Sequence, residues 1–207
     1  MPTRFTEQSQ RFRPNSNEEQ VLQKAREHFE ATLIGVQGEL AGSVAAMEHR
    51  RADDALNYGE IFLRDNVPVM IYLMLEGRFA IVKQFLSVSL QLQSTNVQTR
   101  GVFPTSFVEE EGELVADYGQ RSIGRITSVD ASLWWPILCW IYVKRSGDFD
   151  FGRSPEVQRG LQLLLDLVLH PSFEGTPVLF VPDCAFMIDR PMAVSYTHLR
   201  AHETPRY

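Results

Sequence analysis

Three short segments of this chain gather aromatic rings, arginines and carboxylates at the ends of apolar runs. They are Asn57-Tyr58-Gly59-Glu60-Ile61-Phe62-Leu63-Arg64-Asp65, Val129-Asp130-Ala131-Ser132-Leu133-Trp134-Trp135, and Phe186-Met187-Ile188-Asp189-Arg190. That combination suits a carbohydrate site, where rings cover the C–H faces of a pyranose and carboxylates and guanidinium groups bind its hydroxyls. Cleaving a glycosidic bond also needs one carboxylic acid to protonate the leaving oxygen. A second carboxylate then serves as base or nucleophile. Among 26 acidic residues, Asp65, Asp130 and Asp189 stand beside aromatic or apolar neighbours. Desolvation in such surroundings raises a carboxyl pKa and keeps its proton available for donation.

Each of these residues also has a purely structural reading. Asp65 can cap the helix that follows it, accepting backbone N–H bonds while its other oxygen faces a cavity. Asp189 and Arg190 can form a buried ion pair that ties a loop to the core. Adjacent tryptophans on a helix point about 100° apart, so they cannot face one cavity equally. Trp134, one turn after Asp130, is the better platform for a sugar, and Trp135 the better core residue.

Local pattern places these segments on helices. Ser16-Asn17-Glu18-Glu19 reads as a capping box, and Leu22, Ala25, Phe29, Leu33 and Val36 continue as an amphipathic stripe to Gly38. A second helix starts after Asp65 or Asn66, with Pro68 in its first turn, and stops at Gly77. Phe79 to about Gln93 forms a third. From Ser94 to Val129 no helical period appears, and Val108–Leu114 reads as an acidic, solvated hairpin-like turn. A loop this long inside a domain is usually functional. Asp130 or Ser132 caps a fourth helix that closes at Gly147, with Pro136 in its first turns or kinking it. Pro155 opens a fifth, and Thr176–Val181 is a short extended segment. The expected fold class is all-α.

Composition narrows the partners. The chain has 207 residues, 44% hydrophobic and 22% charged, which is an ordinary globular balance. A net charge of −6 argues against nucleic acid, because phosphate binding needs a basic surface. The longest apolar stretch, Leu133–Val143, is too short for a membrane span. The polar stretch Met1–Asn15 lacks the apolar core of a secretory signal. Cys139 and Cys184 fit neither a disulfide framework nor a zinc site. His198 and His202 have no third ligand in view, so neither a metal nor any cofactor is expected.

Taken together, the three segments resemble the alkaline/neutral invertases of glycoside hydrolase family 100, from about Leu56 to Met192. The resemblance implies a partial (α/α)6 barrel, incomplete in this chain, and a cytoplasmic enzyme that cleaves sucrose to glucose and fructose. It implies Asp189 as the general acid, with Tyr58, Arg64, Asp65, Phe107, Arg125, Asp130, Trp134 and Arg190 around the substrate. Phe107 and Arg125 come from Pro104-Thr105-Ser106-Phe107 and Ser122-Ile123-Gly124-Arg125 in the long loop. The second carboxylate falls in the part of the barrel that this chain lacks. Residues 1–15 then form a disordered lead-in, 16–194 the N-terminal part of the catalytic domain, and 195–207 a tail foreign to the family that resembles translated adapter sequence. The full-length protein has room to be a homo-oligomer. Two other readings remain: a different helical-barrel glycosidase of trehalase or glucoamylase type, and a non-catalytic helical interaction module. No regular repeat supports the second.

Overall fold

The computed structural model describes residues 15–45, 58–96, 99–119, 127–169 and 184–185. The chain divides into two units, Met1–Thr32 and Leu33–Tyr207. In the first unit the described element is helix α1, Ser16–Thr32. Its capping box lies one residue earlier than the sequence suggests. Asn15 Oδ1 accepts from the backbone N–H groups of Asn17 (3.1 Å) and Glu18 (3.0 Å), and Glu18 Oε2 accepts from Asn15 N at 2.7 Å. The reciprocal arrangement is the expected one, with asparagine in place of serine as the cap.

The second unit is not all-α. Helices combine with antiparallel sheets, which corrects the fold class expected from the sequence. Leu33–Val36 (β1), expected to extend the first helix, pairs instead with Glu39–Ser43 (β2). The physical reason is the Gln37-Gly38 turn, where both residues have positive φ (56° and 81°). Two such residues make the tight turn that matches strand twist, and it folds the chain back before a helix can continue. The same device operates in the long "loop". Ser106–Glu110 (β4) and Glu113–Asp117 (β5) form a hairpin about Glu111 (φ 53°) and Gly112 (φ 85°). Ile61–Phe62 (β3) adds to its edge to give the order β3-β4-β5. Only the tip of the acidic segment is a turn.

The helices follow the sequence more closely. They are α2 (Asn66–Leu75), α3 (Phe79–Gln91), α4 (Val129–Ser146), α5 (Phe149–Arg153) and α6 (Pro155–Val168). Gly77, at φ 76°, ends the second helix as expected. Pro136 lies inside α4 rather than in its first turns. Ser154 caps α6, its hydroxyl accepting from Val157 N at 3.3 Å. A short parallel pair joins Thr127–Ser128 (β6) to Cys184–Ala185 (β7).

Helix α3 packs against α2, α4, α6 and β2, and its Val82, Phe85, Leu86 and Val88 are buried. Trp135 of α4 stacks on Phe103 with ring centroids 4.9 Å apart. Its indole N–H reaches Ser89 Oγ at 2.9 Å, which satisfies the polar edge of a ring that is 1% exposed. Met70 of α2 and Leu138 of α4 are buried with them.

Candidate active site

The turn between β3 and α2 carries Arg64 and Asp65, and its position is fixed on both sides. Leu63 N donates to Thr105 O at 3.0 Å, holding the turn to the residue just before β4. Asn66 holds the other side. Its Oδ1 accepts from Ser43 N (2.8 Å), and its Nδ2 donates to Ser43 O and Phe62 O (both 2.9 Å). The amide thus locks β2, β3 and the start of α2 together while nearly fully buried. Ser106 adds a further link, donating to the buried carboxylate of Glu60 at 2.6 Å.

With the turn held, the Arg64 guanidinium lies between two carboxylates. Nη1 is 3.7 Å from Asp130 Oδ1, and Nε is 3.9 Å from Asp65 Oδ1. These separations exceed direct hydrogen-bond length, so the pairing is electrostatic. The Asp130 side chain is 14% exposed and that of Asp65 is 66% exposed. Asp65 does not cap α2, for its side chain accepts no hydrogen bond from that helix's first turn. The capping reading is corrected, and Asn66 supplies the anchoring instead. Ser43, Val44, Glu60, Phe62, Asp65 and Asn66 are among the residues that line a small cleft of about 110 Å³ beside this turn.

Two of the three chemistry-bearing segments therefore meet at Arg64. Trp134 follows Asp130 by one turn and is 37% exposed, whereas Trp135 is in the core, as the 100° step between neighbours requires. Tyr58 is half-buried, and its carbonyl accepts from Ala45 N at 3.1 Å. Phe107 is fully buried against Phe85, with ring centroids 6.1 Å apart, so it supports the core and offers no face to a sugar. Arg125, Asp189 and Arg190 lie outside the described residues, as do His198, His202, the segment Thr176–Val181 and the tail 195–207. The pairing of β7 with β6 sets Ala185 opposite Ser128, two residues before Asp130.

Glu60 and Asn66 were not singled out from sequence as part of this site. The signal for Glu60 was present, an acid directly before the apolar residues Ile61, Phe62 and Leu63. Among the described residues no cluster of His, Cys, Asp and Glu could hold a metal, and no helix is long and apolar enough to cross a membrane.

Residues 25–202 match the family described as alkaline and neutral invertase, glycoside hydrolase 100. The chain is 35% identical over 186 residues to alkaline/neutral invertase CINV2 of Arabidopsis thaliana, covering 84% of this chain and 33% of that protein. Cytosolic invertase 1 of Oryza sativa subsp. japonica is 34% identical over the same shares. Neutral/alkaline invertase 1, mitochondrial, of the same rice is 37% identical over 79% of this chain and 29% of its own length. The chain spans about a third of the length of the curated relatives it matches.

Proposed function

The chain belongs to the alkaline and neutral invertase family, and from that membership we propose that it forms the acid-bearing part of a glycosidase that splits sucrose into glucose and fructose. The observation that carries the reading is the meeting of Arg64, Asp65 and Asp130 at one turn. A guanidinium held between two carboxylates offers donors and acceptors at fixed spacing, which suits the vicinal hydroxyls of a glucosyl ring. Trp134 and Tyr58 supply aromatic faces beside them. Arg190 and Arg125 complete the polar lining in this reading.

Asp189 is the general acid. This rests on the family resemblance of the Met187-Ile188-Asp189-Arg190 element. The Asp189 proton passes to the glycosidic oxygen as that oxygen's bond to the glucosyl anomeric carbon breaks and fructose leaves. The second carboxylate, which activates water or attacks the anomeric carbon, belongs to the part of the enzyme outside this segment. The enzyme works in the cytoplasm, in keeping with its likeness to a cytosolic relative. The test is a chimera that joins this chain to the unmatched two thirds of a plant relative, assayed on sucrose, trehalose and maltose. Glucose release from sucrose alone supports the reading. Preference for trehalose or maltose would move the chain to another glycosidase specificity.

A further inference from the structure

Arg64 and Asp130 sit on elements far apart in sequence, and one short buried segment joins those elements. Residues 101–108 are buried throughout, and 101–105 lie outside any helix or strand. Buried backbone of that kind must find its hydrogen-bond partners one group at a time. Gly101 N, Val102 N and Thr105 N donate to the carbonyls of Ser94 (2.9 Å), Thr99 (3.0 Å) and Asp117 (2.8 Å). Pro104 has no N–H to place. Phe103 N goes to a side chain instead, donating to Ser132 Oγ of α4 at 3.0 Å in a buried bond. The Phe103 ring also stacks on Trp135 of the same helix, so α4 grips this residue twice. Just beyond Pro104, Thr105 O accepts from Leu63 N, the residue next to Arg64.

We propose that Ser132 is a positioning residue for the sugar site, its hydroxyl setting the 103–105 strap that keeps Asp130 at Arg64. Helix α4 begins at Val129, so Ser132 lies inside its first turn rather than before it, and its hydroxyl serves the strap. Ser132 follows Asp130 by two positions, about 200° around the helix, so the two side chains leave α4 on nearly opposite sides. One side meets Arg64 at 3.7 Å, and the other is fastened to Phe103. The far end of the strap is fastened beside Arg64 through Leu63. From Phe103 to Thr105 is two Cα steps, at most about 7 Å. Pro104 fixes one of the soft dihedrals between them. A strap so short and stiff passes a displacement at one end on to the other. A sugar whose hydroxyls bridge Arg64 and Asp130 depends on their spacing, so a looser strap weakens its binding. A serine that only satisfied a stray N–H would affect stability alone. The inference rests on the reading of Arg64, Asp65 and Asp130 as a sugar site.

Amide hydrogen exchange followed by NMR on the 207-residue chain tests the strap, and steady-state kinetics of the chimera test its purpose. The variants are Ser132→Ala and, as a control, Ser89→Ala, the same substitution at a buried serine of α3 that does not touch the strap. The readout is the exchange rate of the Leu63 N–H relative to that of Val82 in the buried face of α3, a ratio from which global destabilisation cancels. Ser132→Ala should raise that ratio several-fold, and Ser89→Ala should leave it unchanged. In the chimera, Ser132→Ala should raise KM for the disaccharide it hydrolyses several-fold with kcat within about twofold of the parent. Ser89→Ala should keep the parental KM. A Leu63 ratio unmoved by Ser132→Ala overturns the proposal, as does a KM that rises equally in both variants or in neither. Should the alanine variant fail to fold, Ser132→Cys carries the same comparison, because sulfur keeps the size and accepts only weakly. If the chimera hydrolyses no disaccharide, the sugar reading fails while the exchange ratio still decides whether Ser132 sets the strap.

Discussion

Asp148 joins three helices through one carboxylate, so its removal should be costly despite its surface position. Oδ1 accepts from Phe151 N at 3.1 Å and caps α5. Oδ2 accepts from the Tyr142 hydroxyl at 2.9 Å and pairs with Lys83 Nζ at 2.7 Å, linking α4 to α3. Loss of a cap costs about 1 kcal/mol, and loss of a hydrogen bond to a charged group about 1.5 kcal/mol. The ion pair adds at most a few tenths, because Lys83 is 47% exposed and screened. Asp148→Ala should therefore destabilise by about 2–3 kcal/mol. Asp148→Asn, which can still cap and accept, should cost less than about 1 kcal/mol. The Lys83 hydrogen bond, with help from the Phe151 N–H and the Tyr142 hydroxyl, holds the Asp148 carboxyl below the usual carboxylate range. A depressed folded-state pKa gives stability that is present above the unfolded value, near 3.9, and is lost as pH falls through the folded value. Urea unfolding followed by circular dichroism at pH 7 and at pH 3 measures both effects. Equal midpoints for Asp148→Ala and the parent at pH 7 would refute the three-helix tie. An Asp148→Asn protein as acid-sensitive as the parent would refute the linkage.

Burial, and then Asp148, pushes the Tyr142 hydroxyl up to about 12. Its contribution to stability should therefore hold below the ordinary tyrosine value and fade as pH rises through 12; spectrophotometric titration of Asp148→Asn should show the phenol ionising at lower pH than in the parent. Asn66→Ala removes three hydrogen bonds of a buried amide, at a cost of roughly 2–4 kcal/mol measured by chemical denaturation. In the chimera, Arg64→Lys keeps the charge but loses the planar fork, so KM for sucrose should rise about tenfold or more with kcat less affected; an unchanged KM would remove Arg64 from the sugar site.

The helices that carry clear punctuation were legible in the sequence. Pro68 and Gly77 bound α2, and Ser154-Pro155 announces α6. The strands were hidden because they are two to five residues long, and Leu33 and Val36 also fit the helical stripe of the preceding segment. What separated the two readings was the positive φ at Gln37 and Gly38, a property of the turn rather than of the stripe. Helix α5 was missed because five residues give too little period to register. The site divides in the same way. The residue types at Arg64, Asp65, Asp130 and Trp134 set these positions apart in the sequence, but the meeting of Arg64 with Asp130 joins distant parts of the chain. No local pattern encodes that contact. Phe107 illustrates the converse, since an aromatic ring in a promising loop fills the core just as readily.

The proposed proton donor for glycosidic cleavage is Asp189. Sucrose hydrolysis by the chimera and by its Asp189→Asn variant tests it most directly, because the substitution is nearly isosteric and removes only the acidic proton. If Asp189 donates the proton, kcat falls by about 10²–10⁴-fold while the unfolding midpoint stays within error of the parent. A variant that hydrolyses sucrose within a few-fold of the parent rate would contradict it.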